Sequence, residues 1–205
     1  MTLFPFFMDI NNKEALIIGG GKHALEKIEK LKPYGVRLHV VAPDLLPEIE
    51  ADPSLRLYRR NVKSEDLTED LAFVIVAGES QEENRKIADP CRKKKILVNV
   101  VDDLPACQFV FPSLIQKGSL SIGICTGGAS PAVGVQLKQQ VEQLIPDRTE
   151  EILDWLESKR PVIKEAIPQG KKRFAFYHKL AGICMEENRL LEEAEFQELL
   201  EEELE

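Results

Sequence analysis

Three consecutive glycines follow the first apolar run of the chain, and an amphipathic segment begins directly after them. The apolar run at 15–18 leads into GGGKHA at 19–24, which fits the pattern G-x-G-x-x-A. In this pattern Gly19 permits a tight turn, Gly21 lets the main chain approach a pyrophosphate, and Ala24 keeps the following helix close to the strand. The N-terminus of that helix offers free N–H groups and the positive end of the helix dipole. We therefore predict that the turn binds a nucleotide; the alternative is a purely structural glycine turn.

Short apolar runs alternate with amphipathic or polar segments through the first half of the chain. The apolar runs are typical of buried strands, and the segments at 22–35 and 80–95 have the composition of helices. Strand–helix–strand order predicts an α/β fold with a Rossmann-type parallel sheet, in which ligands bind at the carboxyl ends of the strands. The predicted strands are 15–18, 36–42, 55–60, 71–77 and 96–101.

The end of the second predicted strand bears on which dinucleotide fits. An acidic residue usually closes this strand and binds the ribose hydroxyls of NAD. Here Ala42 and Pro43 occupy that place, and Asp44 follows them. Asp44 is a candidate ribose ligand, and no arginine directly follows the strand to bind a 2′-phosphate, so we expect NAD rather than NADP as cofactor. The alternative role of Asp44 is to cap the next helix.

The pattern changes after residue 105, where strands give way to helices. QFVFPSLIQKGSLSIGICTGG predicts two short strands joined at Lys117-Gly118, followed by a helix that begins near Ser130-Pro131. The rest of the chain has a helical pattern, with breaks predicted at Pro161 and at 168–170. We therefore divide the chain into a nucleotide-binding domain, a small segment and a C-terminal helical region, with the bounds 1–112, 113–146 and 147–205.

The charge of the chain is concentrated at its C-terminal end. The 205 residues carry a net charge of −8, and residues 186–205 alone hold ten Glu and one Arg. The remainder is close to neutral, which argues against a nucleic-acid surface. Leu and Phe recur at helical intervals in the acidic tail, so we expect a solvated amphipathic helix, with a partner-binding tail as the alternative.

The residue pattern indicates neither a metal site nor a membrane segment. The four cysteines are far apart and form no CxxC pair, so we predict no metal ligands and no disulfide framework. No apolar run approaches the roughly 20 residues that a membrane-spanning helix needs. The first twenty residues lack a basic n-region and a small-residue cleavage site, so we expect no signal peptide and a cytoplasmic protein.

Several stretches together identify a family. They are FPFF at 4–7, LIIGGGKHALEK at 16–27, VVAPDL at 40–45, VNVVDDLPACQFVFPSLIQKGSLSIGICTGGASPAVG at 98–134 and LIP at 144–146. In these stretches the chain resembles the precorrin-2 dehydrogenase family, which includes the N-terminal module of siroheme synthase. The most specific part is the Asn-Val-Val-Asp segment with the Cys-x-Phe and Gly-x-Ser-Pro that follow it.

The resemblance implies a reaction and its participants. Members of the family oxidise precorrin-2, a tetrapyrrole, to sirohydrochlorin with NAD as hydride acceptor, and some also insert ferrous iron into the product. The resemblance implies that Asp102, directly after the fifth predicted strand, is catalytic, and that 113–146 is the dimerisation segment of a homodimer. From position alone, an aspartate after a strand is often a turn former. The expected cofactor-binding residues are Gly19, Gly21, Lys22, His23, Pro43, Asp44, Gly78 and Asn99.

The chain departs from the family pattern at four positions. His23 stands where the family usually has Val, Glu26 where it has Arg, and Gly78 where an Ala-Thr turn has its hydroxyl residue. Cys125 replaces a serine of some members. Two other functions remain candidates. One is a nucleotide-sensing regulatory module, which needs only the Rossmann turn. The other is a chelatase or tetrapyrrole-binding protein without dehydrogenase activity, which the changes at Glu26 and Gly78 leave open.

Overall fold

The computed structural model describes residues 3–204, so the first two residues of the predicted nucleotide-binding domain and the last residue of the C-terminal region lie outside it. The chain forms two compact units, which meet in sequence between Phe111 and Pro112. The elements of the first unit are β1 (Glu14–Ile18), α1 (Lys22–Leu31), β2 (Arg37–Ala42), α2 (Pro47–Glu50), β3 (Arg56–Arg59), β4 (Leu71–Val76), α3 (Gln81–Lys93) and β5 (Leu97–Val100).

The five strands of the first unit form one parallel sheet with the order β3-β2-β1-β4-β5. Each strand expected from an apolar run is present, so the predicted α/β, Rossmann-type fold is confirmed. The chain builds the sheet outward from β1, first to one side and then to the other. In such sheets a ligand-binding crevice lies at the carboxyl ends of the two central strands, here β1 and β4.

Apolar side chains cover both faces of the sheet, as continuous apolar runs indicate for parallel strands. On one face Ile17 belongs to a buried cluster with Ile28 of α1. On the opposite face Val74 and Val98 cluster with Cys91 of α3. Because helices pack on both faces, the loops at the carboxyl ends of the strands are held at fixed positions.

The second unit combines a strand pair with four helices. β6 (Ser113–Lys117) and β7 (Leu120–Ile124) form the predicted strand pair, and they are antiparallel. Ser130 caps the helix that follows, since its Oγ accepts a hydrogen bond from the N–H of Val133 at 3.4 Å. The helices are α4 (Pro131–Leu144), α5 (Thr149–Ala166), α6 (Gly170–Glu187) and α7 (Glu193–Leu204).

The predicted helix break at Pro161 is wrong, because α5 continues through this residue. A proline inside a helix removes one main-chain hydrogen bond and costs about 3 kcal/mol. Ile152 and Ile163, on either side of the proline, are fully buried in the core of the second unit. Burial of each such side chain contributes about 1.5–3 kcal/mol, so packing outweighs the local cost. The other predicted break, at 168–170, is confirmed, since α6 begins at Gly170.

The acidic C-terminal stretch supplies the end of α6 and all of α7. Phe196 and Leu200 of α7 are buried, whereas most of its glutamates are exposed. The prediction of an amphipathic helix is therefore confirmed. Like every other helix within residues 3–204, α7 lacks the combination of length and apolar character needed to cross a membrane.

Candidate active site

Gly19 ends β1 in a conformation that favours glycine. Its φ is 121°, and its N–H donates a hydrogen bond to the carbonyl oxygen of Val41 at 3.0 Å. A β-carbon on Gly19 would lie 2.4 Å from the carbonyl oxygen of Ala77, which directly follows β4. Gly19 therefore makes the tight turn and also packs the glycine turn against the end of β4.

Gly20, the middle glycine, packs against the loop after β2. A β-carbon on Gly20 would lie 2.1 Å from the carbonyl oxygen of Asp44. The carbonyl of Gly20 accepts a hydrogen bond from the N–H of Leu46 at 2.9 Å. The pattern G-x-G-x-x-A leaves this position open, so Gly20 is not predicted to be a site residue. The sequence marks Gly20 only by placing it between two other glycines.

Gly21 stands at the N-terminus of α1 and faces open space. Its φ of −90° and ψ of −167° are ordinary extended values. Apart from its chain neighbours, no atom of the described residues lies within 4 Å of a β-carbon built there. The first turn of α1 contains no acidic residue. The free N–H groups and the positive end of the helix dipole therefore adjoin a space that fits a pyrophosphate.

Pro43 and Asp44 form the exposed loop directly after β2. Because Gly20 abuts the main chain of Asp44, this loop lies beside the glycine turn. The alternative role of Asp44 as a helix cap is wrong, since α2 begins at Pro47 and Leu46 occupies the capping position. The loop of Pro43 and Asp44 remains the candidate binding site for a ribose.

Gly78 follows β4, and the buried Asn84 of α3 fills the space beside it. The Nδ2 of Asn84 donates to the carbonyl oxygen of Gly78 at 2.9 Å. A β-carbon on Gly78 would lie 2.6 Å from the Oδ1 of Asn84. The departure from the family pattern at Gly78 is thus matched by the packing of Asn84. Asn84 is not predicted from sequence, because it lies in a polar helical segment with no sign of burial.

Asp102 follows β5 and presents its carboxylate to solvent. Its φ is 58°, in the left-handed region that aspartate tolerates better than most residues with side chains. The N–H of the preceding Val101 donates to the carbonyl oxygen of Val76 at 2.9 Å, which ties the turn to β4. The side chain of Asp102 is 72% exposed, and its Oδ2 lies 4.0 Å from the Nε2 of His23. The structure therefore brings together the predicted catalytic residue and a predicted cofactor residue.

Asp103, the next carboxylate, is buried. It accepts a hydrogen bond from the Nε of Arg85 on α3, and this bond lowers the pKa of its carboxyl group below the usual range. Its main-chain oxygen accepts the N–H of Ala106 at 3.0 Å. Asp103 therefore anchors the turn that presents Asp102.

Lys27 lies one helical turn beyond His23, on the same side of α1. Its ammonium group lies 4.6 Å from the ring centre of Phe111. Burial is the main cause that lowers the pKa of Lys27, and the Asp102 carboxylate acts in the opposite direction. A half-buried cation thus lies within the electrostatic reach of Asp102. The family motif contains Lys27, but no role is predicted for it from sequence.

Asn99 lies in β5 and is buried in the core. Its Nδ2 donates to the carbonyl oxygen of Phe109 at 2.9 Å. Cys107, from the same returning segment, donates from its Sγ to the carbonyl oxygen of Val100 at 3.2 Å. These bonds hold the segment that follows Asp102 against β5. The Nδ2 group of Asn99 is therefore bonded inside the protein.

The predicted site residues divide into two groups. Asn99 has its side chain in the core, whereas the others lie at the carboxyl edge of the sheet. Direct contacts join the glycine turn to the loops after β2 and β4, and His23 reaches the turn after β5. The edge group is Gly19, Gly21, Lys22, His23, Pro43, Asp44, Gly78 and Asp102.

The cysteines of the chain are free thiols. Cys91, Cys107 and Cys184 are buried, and burial raises the pKa of the Cys91 thiol to about 11. Cys125, one of the departures from the family pattern, is exposed. Within residues 3–204, no three His, Cys, Asp or Glu side chains lie together in a way that could hold a metal ion.

A parallel sheet of this order, with a glycine turn leading into α1, defines a Rossmann-type dinucleotide-binding unit. The model of the family described as "Putative NAD(P)-binding" matches residues 6–113. The chain belongs to this NAD(P)-binding family.

Curated relatives that match most of the chain are siroheme synthases. One from Thioalkalivibrio sulfidiphilus is 31% identical over 183 residues, which are 88% of this chain and 37% of the relative. Another, from Actinobacillus pleuropneumoniae, is 31% identical over 202 residues, or 95% of this chain and 41% of the relative. The resemblance to siroheme synthase is therefore confirmed. The chain spans about two fifths of the length of these relatives.

A solved structure described as "SirC, precorrin-2 dehydrogenase" shares the fold. The TM-score is 0.70, the identity is 24%, and the alignment covers 98% of both chains. At this identity the likeness establishes the fold alone.

Proposed function

We propose that this chain is an NAD-dependent precorrin-2 dehydrogenase, which oxidises precorrin-2 to sirohydrochlorin. The observation that carries the proposal is the exposed Asp102 carboxylate, which a left-handed turn presents at the same sheet edge as the glycine turn. The relatives named siroheme synthase and the family motifs supply the substrate class. At the carboxyl edge of the sheet a carboxylate lies beside the dinucleotide-binding turn. A dehydrogenase needs this carboxylate, whereas a nucleotide sensor does not.

The start of α1 and the loop after β2 hold the cofactor in this proposal. N–H groups of α1 bind the pyrophosphate in the open space at Gly21, with Lys22 and His23 beside it. The loop of Pro43 and Asp44 receives the ribose. The Asp44 carboxylate accepts hydrogen bonds from ribose hydroxyls and repels a 2′-phosphate, which favours NAD over NADP. NAD supplies the hydride acceptor when bound.

Asp102 acts on the proton that accompanies the hydride. Oxidation of precorrin-2 removes one hydride and one proton. The site therefore needs either a carboxylate that acts as the base or a carboxylate that stabilises another base once it is protonated. Asp103, bound to Arg85, fixes the turn so that Asp102 faces the edge. Asn99 and Gly78 are positioning residues in this scheme, because Asn99 holds the segment after Asp102 and Gly78 accepts the packing of Asn84.

We also infer a homodimer from the second unit. Val133, Leu137 and Leu144 of α4 are 45%, 42% and 80% exposed, and their spacing places them along one side of the helix. An exposed apolar stripe of this kind is typical of an interface. A second copy of the same helix offers a matching stripe, in agreement with the dimerisation segment that the family resemblance implies.

An anaerobic assay with enzymatically made precorrin-2 tests the activity. The protein is mixed with precorrin-2 and NAD, and both NADH and the absorption spectrum of sirohydrochlorin are followed. Asp102→Asn removes the negative charge at nearly constant shape, and Asp154→Asn, an exposed site on α5, is the matched control. We expect turnover in the wild type and the control and its loss in Asp102→Asn. Ferrous iron is then added to the product, and loss of the free sirohydrochlorin spectrum scores chelatase activity.

Two results would contradict the proposal. Tight NAD binding without turnover or tetrapyrrole binding would favour the nucleotide sensor. Tetrapyrrole binding without NAD binding would favour a chelatase or tetrapyrrole-binding protein. Calorimetric titration with NAD and with precorrin-2 separates these cases.

A further inference from the structure

His23 of α1 lies close to the Asp102 carboxylate. It is the second residue of α1, and its Nε2 lies 4.0 Å from the Oδ2 of Asp102. Both side chains are well exposed, at 59% and 72%, so the pair is open to a ligand bound at the edge. The distance exceeds a hydrogen bond but is short enough for an ion pair once the imidazole is protonated.

We propose that His23 accepts the proton that precorrin-2 loses and that Asp102 stabilises the resulting imidazolium. This inference rests on the dehydrogenase function proposed above and assigns the proton step within it. The imidazole is the proton acceptor, and the carboxylate keeps its charge throughout the step.

The oxidation removes one hydride and one proton from precorrin-2, and each has a destination. One C–H bond of precorrin-2 would break with its electron pair, for which bound NAD would supply the hydride acceptor. A second bond to hydrogen in the tetrapyrrole breaks, and its electron pair remains in the macrocycle to complete the new conjugation. The proton from this bond goes to an imidazole nitrogen and then to solvent, to which the exposed ring of His23 has direct access.

Imidazole is better matched to this step than a carboxylate. A neutral imidazole has a lone pair on one ring nitrogen that accepts a proton, and it is a stronger base than a carboxylate. A carboxylate 4.0 Å away stabilises the cation that forms.

Other charged groups accompany His23 on α1 and in the turn after β5. On α1 they are Lys22, Glu26 and Lys27. In the turn after β5, Asp102 lies beside the imidazole, while the Asp103 carboxylate is bonded to Arg85. Lys27 has its ammonium over the ring of Phe111, so Asp102 is the group that meets the imidazole at ion-pair distance.

His23→Ala tests the proposal, with His178→Ala, an exposed histidine of α6, as the matched control. Both changes place alanine on an exposed helical surface, so both proteins should fold. We expect His23→Ala to lower kcat at saturating NAD and precorrin-2 by about 10²- to 10⁴-fold. Free imidazole added to the assay should restore part of the lost rate. His178→Ala should behave as the wild type.

Three outcomes would overturn the inference. If the wild type turns over and His23→Ala keeps its rate, another group takes the proton, while the dehydrogenase function stands. If His23→Ala weakens NAD binding and imidazole does not rescue the rate, His23 is a cofactor contact only. If the wild type itself does not oxidise precorrin-2, this inference and the proposed function fail together.

Discussion

Gly19 and Ala77 are in such close main-chain contact that the smallest side chain on Gly19 would reach within 2.4 Å of the Ala77 carbonyl oxygen. Gly21, two residues later, has an ordinary φ and open space where a side chain would be. The two motif glycines therefore serve different purposes. One is required by the fold, and the other leaves room for a ligand.

We expect Gly19→Ala and Gly21→Ala to separate stability from cofactor binding. Gly19→Ala combines backbone strain of about 1–3 kcal/mol with overpacking of similar size, so the first unit should be severely destabilised. Gly21→Ala should change stability by less than about 1 kcal/mol but weaken NAD binding, because its methyl group enters the ligand space. Urea unfolding and calorimetric titration with NAD measure the two effects. Normal stability of Gly19→Ala would contradict the contact.

Substitutions at Asp102 should separate its conformation from its chemistry. Asparagine and glycine tolerate the left-handed conformation of this residue, whereas alanine pays about 1–2 kcal/mol there. Asp102→Ala should therefore have a lower free energy of unfolding than Asp102→Asn. The free energy of unfolding of Asp102→Gly should be no lower than that of Asp102→Ala. All three should lose turnover, because each lacks the carboxylate. Activity that followed stability instead would indicate a structural role.

The ion pair of Asp52 and Lys32 predicts a pH-dependent contribution to stability. The Nζ of Lys32 lies 2.7 Å from the Oδ2 of Asp52, and this bond, with others from Ser54, lowers the pKa of Asp52 to about 2. Because the folded pKa is below the unfolded value of about 3.9, the contribution is present above about pH 4 and is lost as the pH falls towards 2.

Asp52→Asn should therefore lower the free energy of unfolding at neutral pH by about 1 kcal/mol, the upper range for an ion pair near solvent. The difference from the wild type should shrink towards zero between about pH 4 and pH 2. Urea unfolding across this range provides the measurement, and a double-mutant cycle with Lys32→Met isolates the pair. A difference that stays constant with pH would rule out the charge as its cause.

Lys95→Gly should stabilise the first unit. Lys95 follows α3 with a φ of 59°, and the N–H of Ile96 donates to the carbonyl oxygen of Cys91 at 3.0 Å, which is the arrangement of a glycine-favouring helix end. Glycine should relieve about 1 kcal/mol of strain. Lys93→Gly, at the last residue of α3, is the control and should be destabilising. Thermal unfolding of both variants shows whether each change raises or lowers the stability.

Leu137→Glu on α4 should convert the proposed dimer to a monomer. The change places a charge in the middle of the exposed apolar stripe, where a partner helix would bury it at high cost. Gln139→Glu adds the same charge on the opposite side of α4 and should leave the dimer intact. Sedimentation velocity gives the mass of each variant. A monomeric wild type would contradict the proposed interface.

Local patterns were sufficient for most of the fold. The apolar runs predicted the five strands because a strand buried on both faces must be apolar along its length. The glycine turn, the strand pair and the start of α4 have equally local causes in turn geometry and helix capping. The break at Pro161 failed for the opposite reason, since the buried Ile152 and Ile163 that keep α5 continuous act through contacts distant in sequence.

The sequence by itself determined the parallel sheet, the glycine turn and the place of Asp102 after a strand, because each depends on residues close together in the chain. Only the tertiary structure decided that Gly20 packs on Asp44, that Asn84 is buried beside Gly78, and that His23 meets Asp102. These pairs join residues from different loops. They exist because a parallel sheet gathers the carboxyl ends of its strands at one edge, where side chains far apart in sequence become neighbours.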